Sequence, residues 1–127
     1  MRSFPKKIVE ALHAGKILGI RAGKRPHRFI GIWVVVAENR VFVRSWTVKP
    51  EGWNMTFVKN PRGTIKIGNR NIPVRAIRVR SGRLKDAVSK AYGEKYHTPG
   101  SLKYVRGFRL QNRKDTTLEL VPLEGFS

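Results

Sequence analysis

Hydrophobic positions along this chain change period several times, and each change marks an element. Between Ser3 and Gly15 the apolar residues Ile8, Val9 and Leu12 recur at helical spacing, with Lys6, Lys7 and Glu10 on the other side. Ser3 is the predicted cap, Pro5 suits a helix start and Gly15 a stop, which bounds a helix at about residues 4–14. The stretch "KILGIRAGKRPHRFIGIWVVVAENRVFVRSW" then reads as three strands in a meander, turning around Gly23 to Pro26 and at Glu38 to Arg40. Its middle strand, Phe29 to Ala37, is apolar almost throughout, the pattern of a strand covered on both faces.

Helical spacing returns at Trp53 to Lys59, where Trp53 and Phe57 share a face before Asn60 and Pro61 end the turn. "GTIKIG" alternates cleanly. "NIPVRAIRVR" alternates too, but changes parity between Ala76 and Ile77, which predicts a β-bulge; the hairpin turn between the two runs is Gly68 to Asn71. "SGRLKDAVSKAYGEKYH" carries a helical stripe of Leu84, Val88, Ala91 and Tyr92, with Asp86/Lys90 and Lys90/Glu94 at ion-pair spacing. Residues Thr98 to Lys114, rich in Gly, Arg and Lys, read as a long loop, and "TTLELVP" as a last strand with Leu118 and Leu120 inward. Helix, three strands, short helix, two strands, longer helix and final strand make an α+β chain. Six mostly antiparallel strands must pair or close their edges, and a small barrel with flanking helices does so.

Composition changes the question from fold to partner. A chain of 127 residues with 40% hydrophobic residues has the size and content of one globular domain, taken here as residues 1–127 with the barrel over about 16–122. Against 27 Lys plus Arg stand only 8 Asp plus Glu, a formal charge of +19. Such a field attracts anions: nucleic acid, acidic membrane or phosphorylated small molecules. No Cys is present, and His13, His27 and His97 are not at ligand spacing, so disulfides, thiolate chemistry and a metal site are not expected. No apolar run reaches the roughly 18 residues of a membrane span and no signal-peptide pattern opens the chain, so a cytoplasmic protein without a membrane partner is expected.

Candidate chemistry gathers in "FVRSWTVKPEGWNMTFVKNP", where a strand pattern breaks at Pro50 and Gly52 and resumes as a helix. Arg44, Ser45, Lys49 and Asn54 stand there among Trp46, Trp53 and Phe57. Cations and hydroxyls beside flat aromatics suit a ligand that is anionic at one end and planar at the other. They also suit an exposed strand end, with Trp33 and Trp46 as barrel core and Trp53 as a packing residue at a helix start. Eight scattered carboxylates and no nucleophile motif leave little for side-chain catalysis, so any chemistry would be a cofactor's.

Four blocks in order, "IGIWVVVAENRVFVRS", "GWNMTFVKNPRGTIKIG", "AYGEKY" and "TTLELVP", resemble the split β-barrel flavin-binding proteins, the group of pyridoxamine phosphate oxidases and deazaflavin-dependent nitroreductases. Within that group the chain is most similar to an uncharacterised bacterial family known only as a domain of unknown function. The resemblance covers roughly residues 28–122. It implies a six-stranded split β-barrel of the FMN-binding type, a homodimer, and a flavin mononucleotide or deazaflavin at the dimer interface, with redox chemistry on an unnamed substrate. Carried over, Arg44, Ser45 and Lys49 would hold the phosphate, Trp53 and Asn54 would support it from the helix start, the ring would lie against the strand of Ile32 and Trp33, and Trp46 would belong to the same cofactor site.

The acid-free run from Gly52 to Lys85 supports a different class of function. Lys59, Arg62, Lys66, Arg75, Arg78 and Arg80 could form a cationic stripe on one sheet face and bind nucleic acid without reading bases, since no helix-turn-helix, zinc finger or RNA-recognition signature accompanies them. A solvated basic face, or a cofactor-free dimeric interaction module of the same fold, is the remaining reading.

Overall fold

The protein is described by a computed structural model for residues 3–23, 28–46 and 52–123. The order of elements is α1 (Lys6–Ala14), β1 (Leu18–Ala22), β2 (Ile30–Ile32), β3 (Val34–Ala37), β4 (Arg40–Val43), α2 (Trp53–Lys59), β5 (Arg62–Ile67), β6 (Arg70–Arg78), α3 (Gly82–Lys95), α4 (Leu102–Phe108), α5 (Gln111–Lys114) and β7 (Leu118–Pro122). All strand pairs are antiparallel, in one sheet ordered β2-β1-β5-β6-β7-β4-β3.

The two edges of that sheet are one run of chain. β2 pairs with β1 and β3 with β4, yet only Trp33 separates them. The expected six strands are therefore seven: the apolar run Phe29 to Ala37 is not one strand covered on both faces but two, broken at Trp33. β2 is largely exposed, whereas Val34 and Val35 of β3 are buried. Breaking there lets one segment bond to both edges, which nearly closes the barrel and removes the exposed edges an open sheet would present.

The interior is filled by alternate strand residues, among them Leu18, Ile20, Val41, Val43, Ile65, Ile72, Val74 and Leu120, with Ile8 and Leu12 of α1 and Phe57 of α2 packed in from outside the sheet. A second cluster lies on the outer face of β3 and β4, where Val35 and Phe42 meet Leu84, Val88, Tyr92, Val105 and Phe108 of α3 and α4. Turns follow local chemistry: Glu38 and Asn39 both have positive φ, 54° and 60°, the conformation of a two-residue hairpin turn between β3 and β4.

Several local expectations change. The helix α1 is capped at Pro5, whose carbonyl accepts from the Ile8 and Val9 N–H groups, and Ser3 plays no capping part. No bulge interrupts β6: its register to β5 and β7 is continuous from Arg70 to Arg78, and Ile77 simply points outward, 38% exposed. Residues 98–114 are not a loop but hold α4 and α5; α4 forms because Val105 and Phe108 find an apolar partner in α3 that the sequence pattern does not reveal, whereas α5 buries no residue. Asp86, expected to face Lys90, instead pairs with Lys114 at 2.8 Å.

Candidate functional site

The end of β4 is held by a dense set of buried hydrogen bonds. Arg44 is only 2% exposed. Its Nε donates to Thr117 Oγ1 (2.8 Å), Nη1 to Ser89 Oγ (2.8 Å) and to the Phe108 carbonyl (3.0 Å), and Nη2 to the Lys85 carbonyl (2.6 Å). Its backbone N–H donates to the Tyr92 hydroxyl at 2.9 Å. No carboxylate is among these partners; neutral oxygens meet the charge directly, and Asp86 acts on it only at longer range. Burial pulls the Arg44 pKa below its ordinary value and pushes that of Tyr92 up. The guanidinium thus ties α3, α4 and the start of β7 to the end of β4, rather than standing at a strand end facing a phosphate.

The residues that follow turn toward β7 and α2. The Ser45 N–H donates to Thr116 Oγ1 at 2.9 Å, and the buried Asn54 amide donates to the Thr116 carbonyl at 2.8 Å. Nine positions apart in sequence, Ser45 and Asn54 thus converge on one threonine. Beside them lies a cavity of about 180 Å³ whose lining includes Asn54, Met55, Arg78, Asn112, Asp115 and Thr116. Asp115 is held by Lys85 at 2.9 Å and by Gln111 at 2.8 Å, and these hydrogen bonds keep its carboxyl below the usual range.

The aromatic residues part company. Trp33 lies flat on Tyr96, ring centroids 4.0 Å apart and planes 3° from parallel, with Tyr104 and Phe108 against its edges. Ile32 packs on the barrel interior instead, so the expected pairing of Ile32 and Trp33 on one ligand face does not form. Trp53 also packs on the interior cluster, edge-on to Phe57. Trp46 is different: 44% exposed, it carries the Arg113 guanidinium 3.7 Å over its ring and meets Tyr104 edge-on. Arg113 Nε also donates to the Trp46 carbonyl at 3.0 Å. Lys49 lies outside the described residues.

The cationic stripe is redistributed. Arg62, Lys66 and Arg75 share the outer sheet face, since Arg62 pairs directly with Arg75 and side chains alternate along each strand. Arg78 has the opposite parity and lines the small cavity. Lys59 ends α2, and Arg80 follows β6. Arg21 of β1, which pairs with Thr64, joins the outer face, and its guanidinium sits 4.6 Å over the Phe29 ring.

Sequence reasoning missed Thr116, Thr117 and Arg113. The two threonines read only as the lead-in to a strand, and Arg113 lay in a stretch read as loop; no short-range pattern marks either. Among the described residues no group of three His, Asp or Glu could hold a metal ion, and no helix is long and apolar enough to cross a membrane.

Residues 9–120 match the family described as an uncharacterized protein conserved in bacteria, DUF2255. The chain belongs to this family. No curated protein matches it. Two solved structures share the fold. One is the conserved hypothetical protein Rv2991 of Mycobacterium tuberculosis, with a TM-score of 0.60 and 13% identity over 97% of this chain and 83% of that one. The other is a Listeria innocua protein assigned by name as a pyridoxamine 5'-phosphate oxidase, with a TM-score of 0.60 and 15% identity over 93% and 92% of the two chains. At these identities the likeness is one of fold. It agrees with the mostly antiparallel split barrel expected from the four sequence blocks, which the structure shows nearly closed.

A phosphorylated flavin can be tested against this geometry. The junction cavity is lined by a cation, Arg78, and a side-chain amide, Asn112, both donors suited to a phosphate, and also by the Asp115 carboxylate, whose charge is offset by Lys85 at 2.9 Å. Its 180 Å³ is too small for a tricyclic ring, because ligand-sized pockets run to about 300–1,000 Å³. The donor set fits the phosphate end; the ring would have to lie outside the cavity.

Proposed function

We propose that this protein binds a phosphorylated flavin-type cofactor, flavin mononucleotide or a deazaflavin, at the junction of β4 and α2, as one half of a homodimer. The observation that carries the reading is the convergence of Ser45 and Asn54 on Thr116 beside the cavity of Arg78 and Asn112. In this reading Arg78 and Asn112 take the phosphate, and Lys49 supplies a further cation. Arg44, Ser45 and Asn54 fix the walls. Trp46, braced by Arg113 and touching the exposed Tyr104, offers an aromatic surface to the ring, and a second copy covers it. The flavin would supply electron transfer; the residues of this chain bind and orient it.

The test is titration of the protein, stripped of nucleic acid, with flavin mononucleotide and with a deazaflavin cofactor, followed by fluorescence and by melting temperature. Saturable micromolar binding is expected. Arg78→Gln, which removes one charge-assisted hydrogen bond, should weaken it about tenfold or more, and Lys49→Ala should weaken it too. Failure of both cofactors to bind sinks the reading.

A further inference from the structure

The outer face of β1, β5 and β6 has a chemistry that the flavin reading does not use. The register places Arg62 directly opposite Arg75, Arg21 opposite Thr64, and Lys66 opposite Asn71. Arg62, Lys66 and Arg75 are exposed and Arg21 is half-buried. The Phe29 ring stands between two of these cations, with Arg21 at 4.6 Å and Lys66 Nζ at 5.8 Å from its centroid. Gly19 makes room for this: a Cβ there would come within 3.2 Å of Lys66 Cβ and 3.4 Å of Phe29 Cβ.

No carboxylate belongs to β1, β5 or β6. On neighbouring β7, Glu119 pairs with Ile77 in register, and its carboxylate is taken by Arg40 at 2.7 Å and 2.9 Å. The Arg62–Arg75 pair sets like charges directly across two strands, an arrangement that destabilises a sheet unless an anion lies over it. A second copy of this chain is a poor occupant, because a two-fold interface would press the same cations against each other. A bilayer is also a poor one. Between the cations stand Thr64, Asn71 and Pro73 on a sheet face, not the apolar stripe of an interfacial helix.

From this charge complementarity we infer that the outer face of β1–β5–β6 binds the sugar–phosphate backbone of nucleic acid, with Arg21, Arg62, Lys66 and Arg75 on phosphates. Strand and residue spacings of about 4.8 Å and 3.4 Å place these four within a patch of roughly 10 by 14 Å. Among the described residues no helix projects from the face to enter a groove, and the contacts inferred are to phosphates alone, so binding is independent of sequence.

The experiment is fluorescence anisotropy of labelled mixed-sequence DNA duplex and of labelled single-stranded RNA against the full chain across a salt series. Arg62→Gln/Arg75→Gln is compared with Lys90→Gln/Arg106→Gln, which removes the same charge from the exposed surface of α3 and α4. Binding to either probe is expected, with a log-log salt slope shallower by about 1.8 on duplex in the first variant, at about 0.9 per lost contact, and a loss of tenfold or more in affinity at moderate salt. The control variant should keep at least half the affinity. Equal losses in both variants would overturn the inference, since total charge rather than this face would then be responsible. Failure to bind either probe would overturn it as well. So would phosphatidylserine vesicles that bind with the same sensitivity to Arg62→Gln/Arg75→Gln while nucleic acid does not. Flavin titration of Arg62→Gln/Arg75→Gln keeps the two readings apart, because the junction site does not involve either residue.

Discussion

Arg44 Nε donates to Thr117 Oγ1 across 2.8 Å of buried space, although 73 residues separate the two. Thr117 is fully buried, and its own hydroxyl donates to the Lys114 carbonyl at 2.6 Å. The threonine therefore relays a buried positive charge into the carbonyl at the end of α5.

Thr117→Val keeps the shape and removes the acceptor, leaving one N–H of a buried guanidinium unsatisfied. A loss of about 1–3 kcal/mol in unfolding free energy is expected by denaturant titration. Arg44→Ala should cost more, at least about 3 kcal/mol, because it leaves a cavity and orphans several oxygens at once. An Arg44→Ala protein as stable as the parent would show that this network contributes nothing.

Gly107 on α4 is in direct contact with Trp46: a Cβ there would overlap the far edge of the indole. Gly107→Ala should push Trp46 off its position, shifting its fluorescence emission and destabilising the protein by about 1–3 kcal/mol. Because the obstacle is the end of one side chain, Trp46→Leu in the same protein should restore most of the loss. If it does not, the strain lies in the helix backbone instead.

Lys95 gives the molecule an alkaline pH dependence. Its ammonium donates to the Leu12 carbonyl at 2.9 Å and the Val34 carbonyl at 2.7 Å, beside a cavity of about 360 Å³ lined also by His13 and Glu94. Burial pushes its pKa down to about 8 from the ordinary 10.5. Below pH 8 both folded and unfolded chains carry this proton, and the folded state bears the full cost of burying it. Between pH 8 and 10.5 the unfolded chain holds more protons, so stability rises with pH, and above 10.5 the gain is complete. The side chain remains partly in solvent, which cuts the gain to about 1 kcal/mol. Melting curves from pH 7.5 to 10.5 should show the parent gaining on Lys95→Met; parallel curves would count against a depressed amine.

Much of the fold is legible in the chain because alternation and helical spacing are local. β1, β5 and β6 follow their period-two patterns, and α1, α2 and α3 their apolar faces. Trp33 is the instructive exception. Inside an unbroken apolar run nothing marks it as a break, and it becomes one because closing the sheet requires a single segment to bond to both edges. The short helix α4 was hidden for a related reason: Val105 and Phe108 are too few to make a stripe and depend on α3 for burial, and α5 has no apolar face at all. In the candidate site, Ser45, Trp46 and Asn54 could be singled out from residue type at a strand-to-helix junction. The direction of each side chain could not.

By itself the sequence determined the barrel class, the family, the absence of thiol chemistry and a formal charge of +19. These follow from composition and from patterns spanning a few residues. Only the tertiary structure decided that Arg44 faces inward onto Ser89 and Thr117, that Arg78 leaves the cationic stripe for the junction cavity, and that Arg21 joins Arg62, Lys66 and Arg75 on one face. Each of these depends on which strand lies beside which and on what covers each face. Such contacts are set by pairing between residues distant along the chain, and no local pattern encodes them.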